Sequence, residues 1–168
     1  MALTRRLAQP GDAAALAAFM QAQAVIDPII TENPALWTPT FAADCIANNI
    51  VSLVYDGATL VGMTAGSPNG VFEIDGVGHT ANVYNLFVAT GSTLAKRRAV
   101  AKALVVAGVD NMRALTALRE YLLIPIERVC TSAALVMTVL PTDATQLGGR
   151  DYRAVPWQRV MALIDGWR

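Results

Sequence analysis

The sequence predicts a single α/β domain in which helices flank a mixed, mostly antiparallel sheet. The chain has 168 residues, about the length of one domain, and 54% of them are hydrophobic, which is enough for a sizeable core. β-rich and helical segments follow one another in the order β-α-α-β-β-β-α-β-α-β-β. The pair Asp56-Gly57 joins two β-rich runs as a tight hairpin turn would. We therefore expect residues 1–168 to form one domain.

The first half of the chain reads as a strand, two helices and a hairpin. Asp12 follows a Gln-Pro-Gly turn and is expected to cap the first helix. Asp56-Gly57 tolerates the positive φ that a two-residue hairpin turn needs. In order, the predicted elements are a strand at 3–8, a helix from 12 to about 24, a proline-punctuated loop at 27–40, a helix at 41–48, and strands at 51–56 and 59–65.

The second half alternates strands and helices. The letters SPNG are expected to end the second hairpin strand, and 71–80 then reads as a small excursion. Ser92 is expected to cap a long helix that breaks near Gly108, with a second helical piece reaching about Glu120. The remaining predictions are a strand at 82–89, a buried strand at 121–126, a helix between Pro125 and Pro141, and two final strands at 150–155 and 158–164.

Composition and charge exclude several classes of function. Only 15% of residues are charged, and 13 basic residues balance 13 acidic ones, so we expect no nucleic-acid partner. We find no signal-like segment and no apolar run of membrane-spanning length, so we expect a soluble, cytoplasmic protein. Cys45 and Cys130 lie in apolar helical patterns, without a CxxC motif, so we expect buried thiols and no metal site.

Residues 83–105 contain the most informative motif, a strand that runs through a Gly-Ser-Thr turn into a basic helix. Backbone N–H groups at such a helix start can attract an anion. The candidate cofactor-binding residues are therefore Gly91, Ser92, Thr93 and Lys96. The alternative is that the basic residues form a solvated or partner-facing side of the helix; these residues are Lys96, Arg97, Arg98 and Lys102.

The element order, together with segments 4–20, 51–65 and 83–105, resembles the GNAT superfamily of acyl-CoA-dependent N-acetyltransferases. In active members of that family, a turn of the form Arg/Gln-x-x-Gly-x-Gly/Ala holds the pyrophosphate of coenzyme A on backbone N–H groups. The resemblance places Thr93 at the Arg/Gln position and Lys96 and Arg98 at the two glycine positions. It therefore implies a degenerate acyl-CoA loop.

The resemblance also locates the family's acid and base, a Glu on the central strand and a Tyr on the last helix. The positions that correspond to them are Asn82, Tyr84 and Asn85 on the strand, and Ala144 or Thr145 at the end of the helix. Tyr84 and Glu73 are then the remaining catalytic candidates, with His79 as a third. A tyrosine on an apolar strand is usually a core residue, and a histidine in a glycine-rich loop is usually exposed.

Two hypotheses of different classes follow. Residues 83–105 resemble the degenerate motif of GNAT-like proteins encoded by podovirus-type phages, some of them virion components. The first hypothesis is a non-catalytic structural or interaction subunit, with no cofactor and with the virion as its location if a phage encodes it. The second is an active N-acetyltransferase that binds acetyl-CoA, with Trp37 and the 27–40 segment lining the acceptor site.

The apolar composition also predicts assembly. With 54% hydrophobic and 15% charged residues, the chain is more apolar than a small monomer needs. We expect a homo-oligomer or a complex with other protein subunits. Trp37, Trp157 and Trp167 could anchor such an interface, and the alternative for each is packing in the core.

Overall fold

The computed structural model describes residues 2–26, 34–74, 76–89, 91–116, 119–125, 143–147 and 150–168. Its strands are β1 (Leu3–Leu7), β2 (Ile50–Asp56), β3 (Thr59–Ile74), β4 (Val77–Val88), β5 (Tyr121–Pro125), β6 (Asp143–Leu147) and β7 (Arg150–Pro156). Its helices are α1 (Ala13–Ile26), α2 (Pro39–Asn48), α3 (Leu94–Leu115) and α4 (Trp157–Ile164). Short 3₁₀ turns lie at Pro10–Asp12, Pro34–Leu36 and Asp165–Trp167.

The seven strands of the described part form one sheet in the order β1-β2-β3-β4-β5-β7-β6. Every neighbouring pair is antiparallel except β4 and β5, which are parallel. A parallel pair needs a crossover connection, and α3 supplies it between these two strands. This arrangement confirms the predicted fold class, a mixed and mostly antiparallel sheet flanked by helices.

Each face of the sheet is covered by its own helical layer. On one face, α1 and α2 pack on the alternate residues of β2 and β3; the core there includes Leu16, Met20, Ala42, Leu53 and Met63. On the other face lie α3 and α4, whose core includes Val100, Leu104, Met112, Trp157, Val160 and Ile164. Burial of these apolar faces stabilises both layers against the same strands.

The β2–β3 hairpin is confirmed, with its turn one residue further along the chain than predicted. Asp56 pairs with Thr59, so the two-residue loop is Gly57-Ala58. Gly57 has a φ of +60°, which a residue with a Cβ rarely adopts. Asp56 remains the last residue of the strand.

The prediction that SPNG ends the second hairpin strand is wrong, because β3 continues to Ile74 and pairs with β4 to the tip. Ser67 pairs with Val83 and Gly70 pairs with Ala81. The two β3 residues are three positions apart and their β4 partners are two apart, so β3 has one extra residue here. Such a bulge accommodates Pro68, which lacks an N–H for the ladder. The predicted excursion at 71–80 is therefore the end of a long hairpin.

Helix α3 is one element from Leu94 to Leu115, so the predicted break near Gly108 and the second piece to Glu120 are wrong. Gly108 is buried between Ala107 and Val109, and the packing of this face offsets the cost of about 1 kcal/mol that glycine brings to a helix interior. Glu120 instead precedes β5. That strand, Tyr121–Pro125, confirms the expected strand at this position, and Leu122 within it is buried.

The C-terminal part differs from the prediction in two places. Residues 158–164 belong to α4 and not to a strand, because Trp157, Val160 and Ile164 share one buried helical face. Residues 143–147 form β6, which pairs with β7. The helix predicted between Pro125 and Pro141, including Cys130, falls on residues 126–142, which lie outside the described residues.

The start of α1 also differs. Asp12 is the third residue of a 3₁₀ turn and accepts the Gln9 N–H at 2.7 Å, so it closes that turn and does not cap α1. The Arg6 guanidinium donates to both carboxylate oxygens of Asp12, at 2.6 and 2.5 Å. These hydrogen bonds lower the pKa of Asp12. Arg6 thereby ties β1 to the entry of α1.

Candidate functional site

The turn between β4 and α3 contains three of the four candidate cofactor-binding residues. Gly91 has a φ of +88°, a left-handed conformation that favours glycine, and it reverses the chain after β4. Ser92 is exposed, and Thr93 rather than Ser92 is the N-cap of α3. The Thr93 hydroxyl accepts the backbone N–H of Lys96 at 3.3 Å. One of the N–H groups that could meet an anion is therefore already bonded.

Lys96 is the fourth candidate and lies in the first turn of α3. Its ammonium pairs with the carboxylate of Asp56 at the end of β2, and both side chains are partly buried. The ion pair neutralises the charge that would attract a phosphate and ties the helix start to the β2–β3 hairpin. Sequence reasoning treated Asp56 only as a turn residue, because the two residues lie 40 positions apart.

Arg97, Arg98 and Lys102, the other basic residues of the candidate helix side, have different environments. The Nε of Arg97 is buried and has no hydrogen-bond partner, and Arg98 is exposed. The ammonium of Lys102 lies 5.1 Å from the centre of the Trp167 ring, a cation–π contact with the C-terminal turn. Lys96 and Lys102 thus each contact a group of the protein, and these contacts compete with binding of an anion.

The ladder between the parallel strands β4 and β5 ends five residues before the end of β4. Their ladder contains three residue pairs, from Ala81 with Tyr121 to Val83 with Leu123. β4 continues to Val88, while β5 ends at Pro125. Residues 84–88 therefore extend beyond the β4–β5 ladder toward the turn at Gly91.

Asn82, which the resemblance to the family offered in place of a carboxylate, has a structural role. It is fully buried at the β4–β5 junction. Its Oδ1 accepts the indole N–H of Trp157 at 2.7 Å and the backbone N–H of Arg119 at 3.0 Å. Its Nδ2 is buried without a partner. No local pattern could have revealed this, because the two donors lie 75 and 37 residues further along the chain.

The three catalytic candidates lie along the β3–β4 hairpin and are not brought together at the turn. By backbone register, Tyr84 is opposite Gly66, Glu73 is opposite Gly78, and His79 is opposite Phe72. At about 3.4 Å per strand residue, Gly78 and His79 lie roughly 30 Å along β4 from Val88. Of the three candidates, Tyr84 is the one closest in the strand to the turn.

His79 instead takes part in contacts at the far end of β4. Its Nδ1 lies 3.1 Å from the Glu120 carboxylate, and its ring meets that of Tyr121 edge to face with centres 5.2 Å apart. Glu120 also accepts the backbone N–H of Thr80 at 3.2 Å. This hydrogen bond and that of His79 lower the pKa of Glu120. Glu120 was not anticipated from the sequence as a partner for His79.

Ala144 and Thr145, which the resemblance to the family placed at the end of its last helix, lie in strand β6. The assignment of the family's tyrosine position to either of them is therefore wrong. The reason is that residues 143–147 form a strand that pairs antiparallel with β7.

The described residues also include a cysteine thiol and side chains of the types that bind metal ions. Burial raises the pKa of the Cys45 thiol, which disfavours the reactive thiolate. Among the residues that the structure describes, no three His, Cys, Asp or Glu side chains are grouped to hold a metal ion. In the same part of the chain, no helix combines the length and apolar character needed to cross a bilayer.

The three tryptophans differ in their environment. Trp157 is a core residue, with 5% of its surface exposed, so it does not anchor an interface. Trp37 and Trp167 are half-buried, each packing against the edge of one core. Trp37 also meets Phe41 edge to face, with ring centres 5.0 Å apart.

No protein-family model matches this sequence, and no curated protein matches it either. Solved structures do match it along nearly its whole length. PaiA N-acetyltransferase from Thermoplasma acidophilum, in complex with coenzyme A, superposes with a TM-score of 0.64 at 11% identity over 93% of this chain and 99% of that one.

Two further structures give the same result. A putative acetyltransferase, yncA from Salmonella typhimurium with acetyl-CoA, has a TM-score of 0.62 at 14% identity, covering 93% of this chain and 94% of its own. Ribosomal-protein-alanine N-acetyltransferase from Brucella melitensis has a TM-score of 0.62 at 17% identity, covering 90% of this chain and 96% of its own. The chain has the fold of the GNAT N-acetyltransferases.

Proposed function

We propose that this protein is a GNAT-fold subunit that does not use acyl-CoA and that acts through its surfaces in a larger assembly. The observation that carries the proposal is the start of α3. The resemblance places Lys96 where the family has glycine, and the charge of Lys96 is neutralised by Asp56. Its backbone N–H is bonded to the Thr93 hydroxyl. A pyrophosphate would have to displace both interactions.

The role of Asn82 on β4 supports the same proposal. A family base would be a carboxylate on this strand, and Asn82 is instead a buried hydrogen-bond acceptor for Trp157 and Arg119. A side chain held in this way cannot approach an amine substrate without losing two hydrogen bonds. The resemblance of residues 83–105 to phage GNAT-like proteins suggests the virion as the assembly.

The second candidate function is N-acetyl transfer from acetyl-CoA. One observation favours it: the β4–β5 ladder ends after three pairs, so residues 84–88 extend beyond it next to the turn at Gly91. Coenzyme A and acetyl-CoA are bound by structures of this fold, including those from Thermoplasma acidophilum and Salmonella typhimurium. In that case Tyr84 would be the acid–base residue to examine first, since it lies on this part of β4.

Calorimetric titration with acetyl-CoA separates the two candidates. We expect a dissociation constant of about 1 mM or higher, equivalent to a binding free energy of about −4 kcal/mol. The reason is that Lys96 and Arg98 carry side chains at positions where the resemblance places glycines. A dissociation constant in the low micromolar range, about −8 kcal/mol, would overturn the proposal in favour of acetyl transfer. A Lys96→Gly, Arg98→Gly variant serves as the comparison, and a gain in its affinity would identify the two side chains as the cause.

A further inference from the structure

The face of the sheet beneath α3 contains a group of buried polar side chains. Ser52 on β2 and Thr64 on β3 are opposite each other in the β2–β3 ladder, and both are fully buried. Asn111 on α3 joins them, because its Nδ2 donates to the Ser52 Oγ at 2.8 Å. We call Ser52, Thr64 and Asn111 the polar cluster. None of its members carries a formal charge.

The Thr64 hydroxyl is the incomplete part of the polar cluster. Its Oγ1 is buried, and no group in the described part of the chain makes a hydrogen bond with it. Leu86, opposite Thr64 on β4, is apolar and buried. A buried hydroxyl without a partner is costly, and such groups in folded proteins are usually bonded to the protein or to ordered water.

The Ser52 hydroxyl is only partly satisfied. A hydroxyl has one proton to donate and two lone pairs that accept. The Asn111 amide uses one of these lone pairs, and no group among the described residues accepts the Ser52 proton. Two neighbouring hydroxyls of the polar cluster therefore each need a partner.

The positions of the two hydroxyls suit a small ligand between them. Opposite residues of an antiparallel pair have Cβ atoms about 4.5–5.5 Å apart, so one small molecule can reach both side chains. On the same face of β3, the residues two positions before and after Thr64 are Gly62 and Gly66. Val100 and Leu104 lie against Gly62. Gly66 has no side chain, so β3 itself places none on the other flank of Thr64.

We propose that the polar cluster binds one water molecule between the Ser52 Oγ and the Thr64 Oγ1. The water accepts the Ser52 proton and donates to the Thr64 Oγ1, while Asn111 holds the Ser52 oxygen from α3. Water is favoured over an ion because the cluster is uncharged, and buried waters commonly make about three hydrogen bonds to groups of this kind. The water thereby joins β2 to β3 beneath α3. This inference does not depend on the proposed function.

The experiment is thermal denaturation of the full chain with Thr64→Val, which exchanges the hydroxyl for a methyl group of nearly the same size. If the hydroxyl binds a water, the substitution removes a water-mediated hydrogen bond, and we expect the Tm to fall by about 2–4 °C. If the hydroxyl is unpaired, the methyl group replaces a costly buried polar atom, and the Tm rises. A rise or an unchanged Tm overturns the proposal.

Thr59→Val is the matched control, because Thr59 is an exposed threonine at the start of the same strand. We expect the Tm of this variant to stay within about 1 °C of that of the unchanged chain. An equal fall in both variants would assign the effect to valine in β3 and overturn the proposal.

A crystal structure of the unchanged chain, at a resolution that shows ordered waters, is the direct test. We expect one water within hydrogen-bond distance of both the Ser52 Oγ and the Thr64 Oγ1. A direct hydrogen bond between the two hydroxyls, or no water beside Thr64, would contradict the proposal.

Discussion

At the scale of single residues, Lys96 and Asn82 are both held by protein partners. Lys96 pairs with Asp56 at the helix start, and Asn82 accepts two hydrogen bonds inside the β4–β5 junction. Both arrangements satisfy polar groups that would be costly to leave unpaired in a partly or fully buried site. The same positions are therefore occupied by interactions that stabilise the fold.

The bonds of Asn82 give the first prediction. Asn82→Ala removes the acceptor of the buried Trp157 indole N–H and of the part-buried Arg119 backbone N–H, and the loss of these two hydrogen bonds should lower the free energy of unfolding by about 2–4 kcal/mol. Urea denaturation measures this change.

Asn48→Ala is the control for that variant, because the Asn48 side chain donates to the Asp44 carbonyl at 2.8 Å on the exposed surface of α2. We expect it to change the free energy of unfolding by no more than about 0.5 kcal/mol. Equal losses in the two variants would contradict a structural role for the Asn82 amide.

At the scale of elements, α3 packs closely on β3 because Gly62 has no side chain. A Cβ at this position would lie 2.7 Å from Leu104 Cδ1 and 2.9 Å from Val100 Cγ1. Both distances are shorter than van der Waals contact, so the helix can approach the strand this closely only over a glycine. The approach brings Lys96, one turn before Val100, within reach of Asp56 at the end of β2.

The second prediction follows from this packing. Gly62→Ala should lower the free energy of unfolding by about 1–3 kcal/mol, because Val100 and Leu104 must move to admit the methyl group. Gly78→Ala is the matched control on β4, since a Cβ there meets nothing within 4 Å. Reduced freedom of the unfolded chain should leave that variant unchanged or stabilised by up to about 1 kcal/mol. Thermal denaturation compares the two, and a Gly62→Ala variant as stable as Gly78→Ala would contradict the close approach.

The same elements indicate what a sequence can predict. The β2–β3 hairpin and the start of α3 depend on residues within a few positions of one another, and both were predicted nearly to the residue. The end of β3 was missed because Pro68 and Gly70 resemble a turn, whereas the structure absorbs them in a bulge. Helix α4 was missed because its buried face includes Trp157, which lies just outside the apolar run at 158–164.

The site was less predictable than the fold for a related reason. Gly91, Ser92, Thr93 and Lys96 could be proposed together as an anion site because they are nearly contiguous in the sequence. The partner of Lys96 could not be predicted, because Asp56 lies 40 residues away, and neither could that of Asn82, because Trp157 lies 75 residues away. Such contacts depend on the complete sheet and leave no periodicity in the sequence.

At the scale of the whole molecule, two helical layers share one sheet, and neighbouring residues of β2 serve different layers. Leu53 packs in the core beneath α1 and α2, and Val54 packs in the core beneath α3. Neither layer can lose its packing without exposing the strands that support the other. The expectation that residues 1–168 form one domain therefore has a direct consequence for unfolding.

The third prediction tests that consequence with one substitution in each layer. Leu16 on α1 and Leu104 on α3 are both fully buried, and truncating either to alanine should lower the free energy of unfolding by about 2–5 kcal/mol. Because the layers share β2 and β3, each variant should still unfold in one transition, with the far-ultraviolet circular dichroism signal and the tryptophan fluorescence changing together.

The two tryptophan environments make this measurement informative, since Trp37 packs on the α1 side and Trp157 on the α3 side. The contradicting result is that Leu16→Ala unfolds in two transitions, one at a lower denaturant concentration and one at the midpoint of the unchanged chain. In that case the layers would be separate folding units and the single-domain prediction would be wrong.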